Sequence, residues 1–189
     1  YSFYLGASNS NLDELKSVDP KKVCGIKLFL GSSTGNLVVD NKNQIAEIFK
    51  HIKIPIALHC EVDEIIKENE IKAKEKYGEN IPFLEHGNIR SRQACLLSTQ
   101  YAIDLAKKHN TQIHILHMTT SDELKLFTNE PVENKKITVE ACPHHLWFSE
   151  EDYSTLGAYI KCNPAIKTLA DRNALREALK SGLIDTVGT

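Results

Sequence analysis

Ile54-Pro-Ile-Ala-Leu-His59-Cys-Glu61 and, further on, Gln112-Ile-His-Ile-Leu-His117-Met118 are the stretches on which the fold turns. Each is a short apolar run that closes on a histidine and leads towards a helical segment. Alternate side chains of a strand point to opposite faces. That parity pairs Ala57 with His59 and predicts that Ile113, Ile115 and His117 share a face. Both histidines end their runs, where α/β barrels and open α/β sheets carry their chemistry. Two imidazoles arriving at one rim point either to a metal site or to a hydrogen-bonded structural pair, and the pair alone leaves both readings open.

The rest of the chain sets the frame. Its 189 residues suffice for one domain with its own core, so 1–189 reads as a single segment. Hydrophobic residues at 41% and charged residues at 25% are ordinary for a globular protein. A net charge of −2 gives no electrostatic case for nucleic acid or an anionic membrane. No apolar run approaches the roughly 20 residues of a spanning helix. The start, Tyr1-Ser-Phe-Tyr-Leu-Gly6, has neither an initiator Met nor a basic region, and reads as a strand entered partway through a longer chain. Five cysteines, odd in number and without a Cys-x-x-Cys, fit buried thiols in a reducing cytoplasm.

Strand and helix patterns alternate along the chain. Strands are expected at 2–7, 23–30, up to His59, up to His117, at 136–142 and from 183, with a short extended piece over 159–164. Helices are expected at 11–17, 44–52, 62–79, 91–109 and 171–181, and another directly after Thr120, which forms a capping box with Glu123. The apolar stripe of the helix over 91–109 reads as Ala94, Leu97, Tyr101 and Leu105. Gly31-Ser-Ser-Thr-Gly35 reads as a tight turn, and Gly78 and Gly182 as helix stops. Repeated strand–helix–strand units mean a parallel sheet, and no Gly-x-Gly-x-x-Gly or P-loop supports a nucleotide fold. The expected architecture is α/β, part of a (β/α)8 TIM barrel without its first and last strands.

Few other residues invite chemistry. Lys27 interrupts an apolar strand, so it either emerges at the rim, meets a carboxylate, or loses its charge. In the last case the free amine can take up carbon dioxide, and the resulting carbamate is an anionic ligand able to bridge two metals. His114 is expected on the opposite face from His117, towards a helix. His144 and His145 follow a strand at the same rim as hydrogen-bond partners or solvated loop residues, and Asn163 reads as a turn residue whose amide is able to meet a ligand. Arg90 and Arg92 read as surface or packing residues, with an anion contact as the alternative, and the charged run over 61–76 as a solvated helix face.

Taken in order, Gly25-Ile-Lys-Leu-Phe-Leu-Gly-Ser-Ser-Thr-Gly35, Ala57-Leu-His-Cys-Glu61, Ile89-Arg-Ser-Arg92 and His114-Ile-Leu-His-Met-Thr119 make a familiar series. Glu140-Ala-Cys-Pro-His-His-Leu146, Lys161-Cys-Asn-Pro164 and Gly182-Leu-Ile-Asp-Thr-Val187 continue it. The set resembles the dihydroorotases of the metal-dependent cyclic amidohydrolase superfamily, of the class I-like bacterial type. The resemblance implies that Lys27 is carboxylated and bridges two zinc ions, that His59 and His117 are metal ligands, and that Asn163 contacts the substrate ring. It implies the reversible, zinc-dependent closure of N-carbamoyl-L-aspartate to dihydroorotate in pyrimidine synthesis, with that small molecule as partner and a homodimer as assembly.

The resemblance also shows what is missing. The family's first-strand His-x-His pair and its carboxylate-holding arginine are not in this stretch. The aspartate that serves as metal ligand and proton shuttle is expected just after Thr189, so no catalytic residue is assigned and the 189-residue segment alone is expected to be inactive. Allantoinase and dihydropyrimidinase-like ring amidases are the alternative substrates' enzymes. A non-catalytic scaffold of the same fold is the alternative from another class.

Overall fold

A computed structural model describes residues 1–31 and 37–188. Among the described residues, six strands form one sheet: β1 Tyr4–Gly6, β2 Gly25–Leu30, β3 Ile56–Cys60, β4 Ile113–Ile115, β5 Ile137–Ala141 and β6 Thr186–Val187. All neighbours are parallel and the spatial order equals the chain order, β1 to β6. An order without reversal is the order of a barrel wall, whereas a doubly wound sheet reverses at a switch point. The principal helices are α1 Leu12–Ser17, α2 Lys42–His51, α3 Asp63–Tyr77, α4 Arg92–His109 and α5 Leu169–Lys180. No helix among the described residues is long and apolar enough to cross a membrane.

The helices cover one face of the sheet. Ile26, Leu28, Ile56, Leu58, Ile113, Ile115 and Val139 pack there with Ile48 and Phe49 of α2, Ala102 and Ile103 of α4 and Leu175 of α5, all within one core. Burial of aliphatic side chains at about 1.5–3 kcal/mol each makes this layer the main source of stability. The cross-strand row Lys27, Ala57, His114, Thr138 belongs to the opposite face, and Phe29 beside His59 continues it one step nearer the strand ends. Polar and ionisable groups thus collect on the face that the helices leave free.

Local chemistry explains the element ends. Asn41 caps α2 by accepting from the backbone of Asn43 and Gln44, and Ser91 caps α4 through Ala94 N. Asn110 stops α4 in the left-handed conformation with φ 55°, a task that Asn performs at low cost. Gly78 with φ 62° stops α3 as expected. Thr168 and Asp171 form a capping box for α5. Asp171 also accepts from Ser121 N at 2.9 Å and from Arg92 at 2.6 Å, tying α5 to the turn after β4 and to α4.

The helix expected directly after Thr120 begins there as the short helix Ser121–Leu124, with Thr120 Oγ1 accepting from Glu123 N at 3.3 Å while the Glu123 carboxylate takes the hydroxyls of Thr120 and Thr99. Two expectations give way. Leu97 is exposed; the buried stripe of α4 uses Cys95, Ser98 and Thr99, because small residues let α4 lie close to the sheet. The piece over 159–164 is not a strand: Gly157–Ile160 is a 3-10 turn, and the chain from Pro143 to Ile160 is a string of short helical turns after β5. Of the expected turn Gly31-Ser-Ser-Thr-Gly35, all but Gly31 lies outside the described residues.

Close backbone approach fixes one glycine. A Cβ at Gly25 would stand 2.4 Å from the Pro55 carbonyl oxygen and 3.2 Å from the Tyr4 ring. Gly25→Ala is expected to cost about 1–3 kcal/mol by overpacking, read as a lower urea midpoint with an unchanged slope.

Candidate metal and substrate site

His59 and His117 meet at the C-terminal end of the sheet. His59 Nδ1 lies 3.0 Å from His117 Nε2, with the ring planes at 70°. The expected reason for this meeting is wrong in an instructive way. Ile113 and Ile115 face the helices, so strand parity carried to residue 117 would send the imidazole into the core. Strand β4 ends at Ile115, and His117 takes a left-handed backbone with φ 43°, which breaks the alternation and turns the ring towards His59. The conformation is held on both sides by Leu116 N donating to Leu58 O at 3.1 Å and Met118 N to Glu140 O at 2.8 Å.

The reverse correction applies to His114. It lies on the helix-free face, Nδ1 2.8 Å from Thr138 Oγ1 and Nε2 3.5 Å from Glu140 Oε2, and does not meet a helix. Glu140, which the sequence did not single out, also receives His117 N at 3.4 Å. It therefore buttresses both histidines of the β4 region.

Glu61 is the larger omission. It is not part of a solvated face: its carboxylate is buried, accepts from His59 Nε2 at 2.8 Å and forms a very short ion pair with Arg90. Burial works to raise its pKa, but the His59 hydrogen bond and the Arg90 charge outweigh that and hold it below the ordinary carboxylate range. His59 and Glu61 stand two apart at a strand end, and that spacing, which places both on one side, was the signal available. Arg90 consequently is a positioning residue and not a surface one.

The donor set fits a metal. Carboxylate Glu61 can only accept, so the proton of His59 sits on Nε2 and its lone pair on Nδ1 faces His117. His117 Nε2 donates to it, and a cation replacing that proton receives both imidazoles. Two nitrogens on a tetrahedral zinc stand about 3.3 Å apart, a few tenths from the 3.0 Å found. Burial, with the charges of His59 and Lys27, keeps His117 well below its ordinary pKa and so unprotonated at neutral pH. Lys27 Nζ is buried without a hydrogen-bond partner, 4.2 Å over the Phe29 ring, and burial lowers it to about 8. An orphaned amine so near neutrality is a suitable nucleophile for carbon dioxide.

Asn163 is placed apart from these three. Its Oδ1 lies 3.2 Å from His86 Nε2, and it lines a cavity of about 300 Å3 with Ile66, Phe83, His86, Arg90 and Lys161. Arg90 links that cavity, through Glu61 and His59, to the imidazole pair. His145 is buried, bonded to Pro164 O at 3.0 Å, while His144 is half-buried and lies tilted at 53° against it, 4.3 Å between centroids. Arg92 spans Asp122 and Asp171 at 2.5 and 2.6 Å and is structural.

An unreversed parallel sheet, helices on one face and ligating groups at the C-terminal strand ends define the class, a wall of a (β/α) barrel. No protein-family model matches the chain. It is 28% identical over 166 residues to a dihydroorotase of Methanosphaera stadtmanae, covering 87% of the chain and 37% of that protein. It is 31% identical over its whole length to an allantoinase of Bacillus velezensis, covering 42% of that protein. Its fold superposes over 100% of its length on 42% of the L-hydantoinase (dihydropyrimidinase) from Arthrobacter aurescens, with a TM-score of 0.90 at 23% identity. These likenesses to dihydroorotases and an allantoinase support a dihydroorotase-like segment of the cyclic amidohydrolase superfamily. The chain spans about two fifths of the length of these relatives.

Two measurements probe the site. Glu61→Gln removes the charge that orients His59 and is expected to weaken zinc binding about 10–100-fold with the fold retained, read by competition with a chromophoric chelator. His145, held by burial down to about 3, must stay neutral in the folded protein. The unfolded chain, near 6.5, binds the proton first. Stability is therefore full above about pH 6.5 and falls as pH drops towards 3, by up to about 1.4 kcal/mol per unit. His145→Gln is expected to flatten that slope in urea melts of the metal-free protein across this window.

Proposed function

We propose that the chain supplies the metal-binding wall of a dihydroorotase, an enzyme that interconverts N-carbamoyl-L-aspartate and dihydroorotate with loss or gain of water. The observation that carries the metal reading is the convergence of His59 Nδ1 and His117 Nε2 at 3.0 Å, with Lys27 Nζ buried and without a hydrogen-bond partner on the same face of the sheet. Lys27, as its carbamate, with His59 and His117, would hold the zinc pair. Bound there, the metals would supply acidified water and polarise the scissile carbonyl.

The chain's own residues do the rest. Glu61 keeps the His59 proton on Nε2, so that Nδ1 stays a lone-pair donor, and Arg90 keeps Glu61 ionised. Phe29 and the buried wall around Lys27 exclude water from the amine. Asn163 offers an amide to the ring from the adjoining cavity, where Arg90 and Lys161 provide positive potential. That potential supports a substrate carrying a carboxylate, which dihydroorotate has and dihydrouracil and allantoin lack. Allantoinase is the second reading, favoured by the 31% identity to an allantoinase over the whole chain.

Ring opening of dihydroorotate, allantoin and dihydrouracil by the zinc-loaded full protein in bicarbonate separates these readings. Dihydroorotate is expected to turn over, and Lys27→Ala to reduce that turnover more than about 100-fold. Lys161→Met is expected to raise KM for dihydroorotate with little change in kcat, because it removes uniform binding of the carboxylate. Preference for allantoin would replace the substrate and keep the metal site; bound zinc below one per chain would overturn both.

A further inference from the structure

A second group of metal-ligating side chains lies on the turn after β5. Cys142, His144 and His145 each present one ligand atom, and these atoms lie within 4.8 Å of one another. Cys142 stands directly before the short helix Pro143–Trp147, and its carbonyl accepts from His145 N at 3.0 Å and Leu146 N at 3.1 Å. One tight turn therefore fixes the sulfur and both rings together. Cys142 and His145 are buried, while His144 is half-buried and keeps the group in touch with solvent.

The histidine chemistry points to a ligand. His145 Nε2 lies 3.0 Å from the Pro164 carbonyl, which can only accept, so Nε2 carries the proton and Nδ1 the lone pair. That Nδ1 is buried and has no partner, in a residue only 4% exposed. A buried acceptor without a donor is costly and rare. An imidazole whose far nitrogen is pinned by a carbonyl is how proteins commonly orient a metal-binding histidine. The Glu140 carboxylate stands 3.9 Å from Cys142 Sγ and adds negative potential at the same place.

We propose that Cys142, His144 and His145 form a binding site for a thiophilic divalent cation of the zinc class, separate from Lys27, His59 and His117. A sulfur with two imidazoles selects zinc, cadmium or cobalt(II) over magnesium or calcium. Three protein ligands leave a fourth position for water or for Glu140. Binding is an exchange without redox change: the Cys142 S–H bond breaks, a sulfur–metal bond forms, and the proton passes to solvent. Burial and the Glu140 charge hold this thiol up to about 12, so at neutral pH the cation itself must drive that proton off.

Cobalt(II) titration of the metal-free protein tests the site, because a thiolate ligand adds a sulfur-to-cobalt charge-transfer band that imidazoles and a carbamate do not. The band is expected to saturate at about one cobalt per chain, to be bleached by zinc, and to remain in His117→Ala. It is expected to vanish in Cys142→Ser. His144→Ala, which removes a half-exposed ring and leaves the core intact, is expected to weaken cobalt binding at least about tenfold. Absence of the band in the parent protein overturns the site, as does its persistence in Cys142→Ser or its loss in a folded His117→Ala. Should Cys142→Ser fail to fold, unchanged cobalt affinity in His144→Ala overturns it alone.

Discussion

The candidate centre depends on one backbone conformation, the left-handed turn at His117. A non-glycine residue with φ 43° is held at a cost of order 1–3 kcal/mol. The surrounding structure over-determines it. Leu116 is bonded back to β3 and Met118 to β5, so the residue between them has little choice of path. The strain converts a residue that strand parity assigns to the core into one that faces His59. Without it, one imidazole would stand at the rim and the Glu61–Arg90 pair would orient a lone ligand.

A second constraint acts through charge. The free face of the sheet gathers Lys27, His59, His114 and Glu140, while the covered face holds almost nothing but aliphatic carbon. Groups so placed shift one another: burial lowers both Lys27 and His117, and both are thereby moved towards neutral, lone-pair-bearing forms. Glu61 moves the other way because Arg90 and His59 keep it ionised despite burial. Neutral nitrogens supported by one fixed anion are what a cation-binding site needs before the cation arrives.

The neighbourhood after β5 extends the same logic outwards. Its string of short turns brings Cys142, His144, His145 and Asn163 near the strand ends without a regular element of its own. Such loops are where barrels vary their chemistry while the wall stays constant.

Much of this was legible in the residues alone. Alternating apolar runs and helical stripes gave the parallel α/β order, and a histidine closing each of two strands marked the rim, because local periodicity reports local structure. Lys27 stood out as a charge in an apolar strand, but whether it emerges at the rim or stays buried was left open by its neighbours in sequence. What the sequence could not give were features set by distant partners. Glu61 looked like the start of a charged helix until Arg90, 29 residues away, was seen to neutralise it. His114 lies on the helix-free face that its pairing with Ala57 and Thr138 dictates, and His117 joins that side only because its φ breaks the strand alternation, a φ fixed by hydrogen bonds to β3 and β5 rather than by its neighbours in sequence. The sequence by itself determined the order of strands and the residue types at their ends; only the tertiary structure decided which way those residues point, since long-range hydrogen bonds and ion pairs act between segments that no local pattern connects.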